Sequence, residues 1–154
     1  MFLDYSAELA LPAPRVSELL ASHLEEMEGM GAAAYRRGEA LHTKVGPGPL
    51  AKEVVVALGT PQMRRSGMVV PVTWRATGAR ALFPRLEGDL EIRPVDSHRS
   101  EIRIRASYRP PLGSVGTIVD RLLLSGLARS TVSDWVDRIA DWIHTTVPEA
   151  SPEG

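Results

Sequence analysis

LGSVGTIVDRLLLSGLARSTVSDWVDRIADWIHTTV, residues 112–147, is the longest stretch of the chain that keeps a helical pattern with no internal proline. The rest of the fold follows from what this stretch must lie on. Pro110-Pro111 precede it and Pro148 follows it. Proline fits a first helical turn, where its missing N–H is unpaired in any case, and it cannot prolong a helix past its end. In the downstream half Val132, Val136, Ile139 and Ile143 recur at spacings of three and four, with Asp134, Asp137, Arg138 and Asp141 on the opposite arc. That half needs a broad apolar surface to cover. The upstream half breaks phase. Arg121, Ser125 and Arg129 form a row continuous with Val132 and Val136, Leu123 and Leu127 turn toward the later polar arc, and Gly126 sits at the change.

Two resolutions of the break stay open, because burying two unpaired guanidiniums would be very costly. In one, the helix bends or starts anew near Gly126 and carries the arginines to the rim, their stems on apolar surface and their heads in water. In the other, the helix stays regular and the row is the polar end of a pocket. Arg121 or Arg129 then takes a ligand carboxylate or phosphate as a planar fork.

Upstream, residues 2–11 alternate, Leu3, Tyr5, Ala7 and Leu9 against Asp4, Ser6 and Glu8, which predicts a half-buried strand ended by Pro12. Pro14, Val16, Leu19 and Leu20 predict a short helix. Ser22 and Glu25 have capping-box spacing for a second short helix, whose end Gly29 and Gly31 leave open, with residues 32–37 helical or irregular. Strands then follow one another. Leu41, Thr43 and Val45 alternate with His42 and Lys44 before Gly46-Pro47-Gly48-Pro49, and residues 52–58 form a β-branched run. Met68, Val70, Val72 and Trp74 share one face of the next strand, in which Pro71 predicts an edge or a bulge. Leu82, Leu86, Leu90 and Ile92 oppose Arg85, Glu87, Asp89 and Glu91; beyond the turn at Asp96-Ser97-His98, Ile102, Ile104, Ala106 and Tyr108 oppose Glu101, Arg103, Arg105 and Ser107. One face is dry and the other wet. Gly88 falls on the dry face, where a strand glycine permits a bend, so the sheet is expected to curl.

The 154 residues suit one domain, residues 1–147, with a disordered tail at 148–154. A net charge of -1 with interleaved signs and an aromatic fraction of 5% provide neither a basic field nor stacking platforms, so nucleic acid is not an expected partner. The absence of cysteine excludes disulfide and thiolate chemistry, and an N-terminus with no basic flank or apolar run predicts a cytoplasmic protein. No apolar run has the length of a transmembrane helix.

A strand, two small helices, a run of antiparallel strands and one long final helix make an α+β order whose curved sheet must cover its dry face with that helix. That order resembles the START-like, or SRPBCC, superfamily, the helix-grip fold of polyketide cyclases, birch-pollen-allergen-like proteins and lipid-transfer domains. The likeness rests also on Pro71-Val72-Thr73-Trp74-Arg75-Ala76-Thr77-Gly78, Leu82-Phe83-Pro84-Arg85-Leu86-Glu87-Gly88-Asp89-Leu90 and Tyr108-Arg109-Pro110-Pro111-Leu112-Gly113. It covers nearly the whole chain and lies in topology and turn patterns rather than in a catalytic signature. The resemblance implies about seven antiparallel strands wrapped around the last helix, with an apolar cavity between them. Trp74, Leu86, Leu90, Ile104, Tyr108 and Val132 are then the candidate apolar lining, and Arg121, Ser125 and Arg129 its candidate polar end.

Chemistry is sparse on that dry face. His23, His42, His98 and His144 are scattered, and Glu87, Asp89 and Glu91 have the spacing of a solvated strand face balanced by Arg103 and Arg105. Gly46-Pro47-Gly48 has prolines where a phosphate loop needs N–H donors. Neither a metal nor another cofactor is expected. The reading is a non-enzymatic binder or carrier of a hydrophobic, lipid- or polyketide-like small molecule. The alternative is a polyketide cyclase, aromatase or dehydratase, implied by the resemblance alone; a third is a partner-binding module with a collapsed core. Leu123 and Leu127 are covered either by preceding loops or by a subunit contact, so a monomer and a homodimer both fit.

Overall fold

A computed structural model describes residues 2–42, 53–77, 85–109 and 118–147, with the side chains at 39, 41, 42, 76, 77, 109 and 118–125 outside that description. The elements run β1 (Phe2–Leu9), α1 (Ala13–Ala21), α2 (Leu24–His42), β2 (Glu53–Leu58), β3 (Gln62–Arg64), β4 (Gly67–Thr77), β5 (Arg85–Pro94), β6 (Ser100–Arg109) and α3 (Ile118–Thr146). All strand pairs are antiparallel, in the order β1-β6-β5-β4-β2, with β3 also on β4. The α+β helix-grip architecture expected from the sequence is present, with six strands described where the resemblance implied about seven.

β2 and β3 act as one interrupted strand along β4. Leu58 pairs with Val72 and Gln62 with Val69, so four steps on one side face three on the other, a one-residue bulge beside Pro71. Pro71 has no N–H to offer there, while its carbonyl accepts from Gly59 N at 2.8 Å. The bulge expected from that proline is therefore found. The tight turn from β3 into β4 ends on Gly67, whose φ of 125° is disfavoured for other residues.

Strand alternation sorts the two faces as expected. On the convex face Asp89 lies opposite Arg105, Glu91 opposite Arg103 and Arg93 opposite Glu101. On the concave face successive rows read Met68-Ile92-Ile102-Ala7, Val70-Leu90-Ile104-Tyr5, Val72-Gly88-Ala106-Leu3 and Trp74-Leu86-Tyr108. Val16 and Leu20 of α1 join the same core. So do Val132, Val136, Ile139 and Ile143 of α3, so the strand face and helix face expected to meet are one continuous cluster.

α2 departs from expectation. It is 19 residues long rather than short, and it runs through Leu41 and His42, where a strand was predicted; Thr43, Val45 and the rest of 43–52 lie outside the described residues. Its buried stripe is Met27, Gly31, Ala34, Tyr35 and Gly38, made largely of residues too small to register as hydrophobic periodicity. The smallness is functional packing. A Cβ on Gly31 would sit 3.1 Å from both Val56 methyls, and one on Gly38 would sit 2.7 Å from Thr131 Oγ1. These glycines let α2 lie close against β2 and α3. Nor does Ser22 cap α2: its Oγ donates to the Glu18 carbonyl at 2.9 Å and closes α1 instead.

α3 does not start anew near Gly126; it is unbroken from Ile118 to Thr146, and residues 112–117 lie outside the description. The phase break has a packing cause. Leu127 is fully buried and would be 3.1 Å from a Cβ on Gly38, so this turn of α3 buries one side against α2 while Val132 joins the sheet-side core. Among the described residues no helix is long and apolar enough to cross a membrane.

Candidate functional site

The sheet places the candidate lining residues in adjacent inward rows. Trp74, Leu86 and Tyr108 form the last described row at the end where β2 and β5 begin and β4 and β6 end; Leu90 and Ile104 lie two rows further in. All five are buried, as is Val132 across from them on α3. Gly88 and Ala106 make the row between them nearly bare of side chain. That bareness draws the strands together: a Cβ on Gly88 would stand 2.2 Å from the Arg105 carbonyl oxygen.

Trp135 had no role in the sequence reading, yet it joins this region to both long helices. Its ring meets Trp74 edge-on, with centroids 5.2 Å apart and planes at 81°, and its indole N–H donates to the Met27 carbonyl at 2.9 Å. The signal was present in the spacing, since Ala128, Val132, Trp135 and Ile139 recur at helical intervals and are all buried. Trp74 and Tyr108 were both expected on the dry face, and both are there.

Burial pushes the Tyr108 phenol up to about 12, so it is a neutral hydroxyl over the physiological range. A phenol kept neutral by folding contributes stability that is complete below its unfolded value near 10 and is lost as the pH climbs toward 12. The parent is therefore expected to lose about 2 kcal/mol more than Tyr108→Phe between roughly pH 9 and 11.5. Urea unfolding of both proteins at the two pH values reads this directly, and equal losses would place the phenol in contact with solvent.

The polar row divides. Arg121 and Ser125 are on α3 with side chains outside the description, whereas Arg129 is exposed and lines a cleft between β1 and α3. The histidines stay apart. His98 lies in the β5–β6 turn, His23 stacks at 5.0 Å on Trp142, and His144 Nε2 accepts from Ala10 N at 3.4 Å. Among the described residues no three metal-capable side chains gather at one point.

No family model matches the chain, and no curated protein matches its sequence. Its structure is similar to that of Zhui aromatase/cyclase from Streptomyces sp. R1128, at 12% identity over 98% of both chains with a TM-score of 0.52. A conserved protein from Geobacillus kaustophilus is similar at 14% identity over 95% of this chain and 97% of its own, with a TM-score of 0.54. A protein from Thermus thermophilus is similar at 13% identity over 95% of this chain and 99% of its own, with a TM-score of 0.52. At these identities the likeness concerns architecture, and with the antiparallel sheet and long final helix α3 it shows that the chain has the helix-grip fold.

Proposed function

We propose that the protein binds a hydrophobic small molecule between the concave face and α3, at the end of the sheet marked by Trp74, Leu86 and Tyr108. The observation that carries this reading is that row itself. Beyond the aliphatic rows of β4, β5 and β6, their concave face ends in two aromatics that each bring a polar tip, the composition of a site that encloses an apolar body and orients it through few groups. Leu90, Ile104 and Val132 form the floor. The cysteine-free composition supports a cytoplasmic carrier.

The cyclase or aromatase reading is favoured by one observation, the similarity to Zhui aromatase/cyclase over nearly the full length. In that case the Tyr108 hydroxyl, neutral at physiological pH, is the titratable group on the concave rows of β4, β5 and β6. Binding without turnover remains the better reading, because no second titratable side chain accompanies Tyr108 among the described concave rows of β4, β5 and β6.

Titration with N-phenyl-1-naphthylamine, a neutral apolar fluorophore, tests the proposal. The expected result is saturable uptake that a neutral polycyclic competitor reverses, with the backbone amide resonances of Trp74, Leu86 and Tyr108 shifting most. An absence of uptake, or shifts confined to the convex face, would sink it.

A further inference from the structure

A cleft of about 530 Å³ opens between β1 and α3, within the size range of small-molecule sites. It opens on the flank of the sheet at β1, three strands from Trp74, and meets the site proposed above at Val132. Its walls are Phe2 and Tyr5 on one side and Arg129, Ser130 and Ser133 on the other, over a floor that includes Val132. Phe2 is 60% exposed, an unusual setting for a phenylalanine on an edge strand.

The charges around this cleft are unequally committed. Asp4, which also lines it, has both carboxylate oxygens engaged by Arg103, from Nε at 2.8 Å and from Nη2 at 2.5 Å. That guanidinium holds the Asp4 carboxyl below the usual carboxylate range. The Tyr5 hydroxyl donates out of the cleft to Asp137 at 2.7 Å. Arg129, unlike Arg103, has no acidic partner among the described residues. The cleft thus sets the Arg129 guanidinium beside two serines and opposite Phe2, whose ring carries the Arg105 guanidinium 5.9 Å from its centre, while its own acid is neutralised.

We propose that this cleft is a separate binding site for a small organic anion, a carboxylate, sulfonate or phosphate group carried on an aromatic or aliphatic body. The anion seats on Arg129 as a planar fork, with the Ser130 hydroxyl within the same wall while the Ser133 hydroxyl donates to the Ser130 carbonyl at 3.2 Å, and the body lies against Phe2 and Val132.

Two fluorophores that share a ring system separate this site from the interior one. 1-Anilinonaphthalene-8-sulfonate carries the anion; N-phenyl-1-naphthylamine lacks it. For the full chain the sulfonate is expected to shift the amides of residues 2–5 and 129–133. Arg129→Gln should weaken its binding by about tenfold or more, the loss of one charge-assisted hydrogen-bonded pair, and Arg129→Lys should restore part of it. The neutral probe should bind parent and Arg129→Gln within about twofold of each other. Because Arg129 is exposed, an unchanged circular dichroism spectrum is expected for both variants. Sulfonate binding that is indifferent to Arg129→Gln, or that moves only the Trp74 and Tyr108 amides, would overturn the cleft site. Failure of the neutral probe alone would overturn only the interior reading.

Discussion

Gly88→Ala is expected to cost at least about 3 kcal/mol, lowering the melting temperature by roughly 6–12 °C or preventing folding outright. The added Cβ would stand 2.2 Å from the Arg105 carbonyl oxygen, 2.5 Å from Ala106 Cα and 2.7 Å from Ala106 Cβ. Two of those neighbours are backbone and cannot rotate away. The β5–β6 ladder would have to part at its middle, where Gly88 pairs with Ala106, and give up hydrogen bonds on both sides. Gly29→Ala is the matched control: a Cβ there meets nothing within 4 Å, and the position is exposed on α2. It should stabilise by roughly 0.5–1 kcal/mol through helix propensity alone. Thermal and urea melts of the two variants decide the matter, and a Gly88→Ala loss below about 1 kcal/mol would mean that β5 and β6 are not in this register.

Trp135→Ala should be of similar severity, about 3–5 kcal/mol, the range for removing a buried tryptophan. The side chain is fully buried, packs edge-on against Trp74 from the sheet and donates to Met27 of α2. One deletion therefore loosens the sheet and both long helices at once. Trp135→Phe keeps an aromatic but leaves the Met27 carbonyl without its donor, and should cost about 1–3 kcal/mol. A double-mutant cycle with Trp74→Phe is expected to show a coupling of about 0.5–1.5 kcal/mol. Additive losses would show that the edge-on geometry contributes nothing beyond burial.

How far the fold could be read in advance depended on what kind of residue carried each contact. Strands β5 and β6 were legible because branched aliphatics alternate with charges, and a period of two has one physical reading on a half-buried sheet. α2 was not, because glycine and alanine form much of its contact stripe. Gly31 and Gly38 matter by what they leave out, and a missing side chain carries no hydrophobic signal. Leu41 and His42 were then assigned to the wrong element because their alternation was judged without the helix already under way. The irregularity at Leu127 was visible as a change of phase but not explicable, since the surface covering it belongs to a helix about ninety residues earlier in the chain. The inward candidates Trp74, Leu86, Leu90, Ile104, Tyr108 and Val132 followed from parity and helical phase. Arg129 did not, because its direction depends on how α3 seats against β1, a contact between the two extremes of the described chain.

The placement of β1 has a consequence for how the protein is made. β1 pairs with β6 and with no other described strand, Asp4 meets Arg103 across 99 residues, and Tyr5 meets Asp137 across 132. As the polypeptide leaves the ribosome its first strand must wait for β6, its partner among the described strands, and its tie to α3 must wait longer still. At about 5–20 residues per second that is an interval of several seconds during which an alternating strand with an apolar face stands unpaired. Loop closures of this span also slow folding. The charges at Asp4 and Glu8 on the otherwise uncharged β1 then act as gatekeepers, discouraging nascent chains from pairing first strand to first strand before the proper partner arrives.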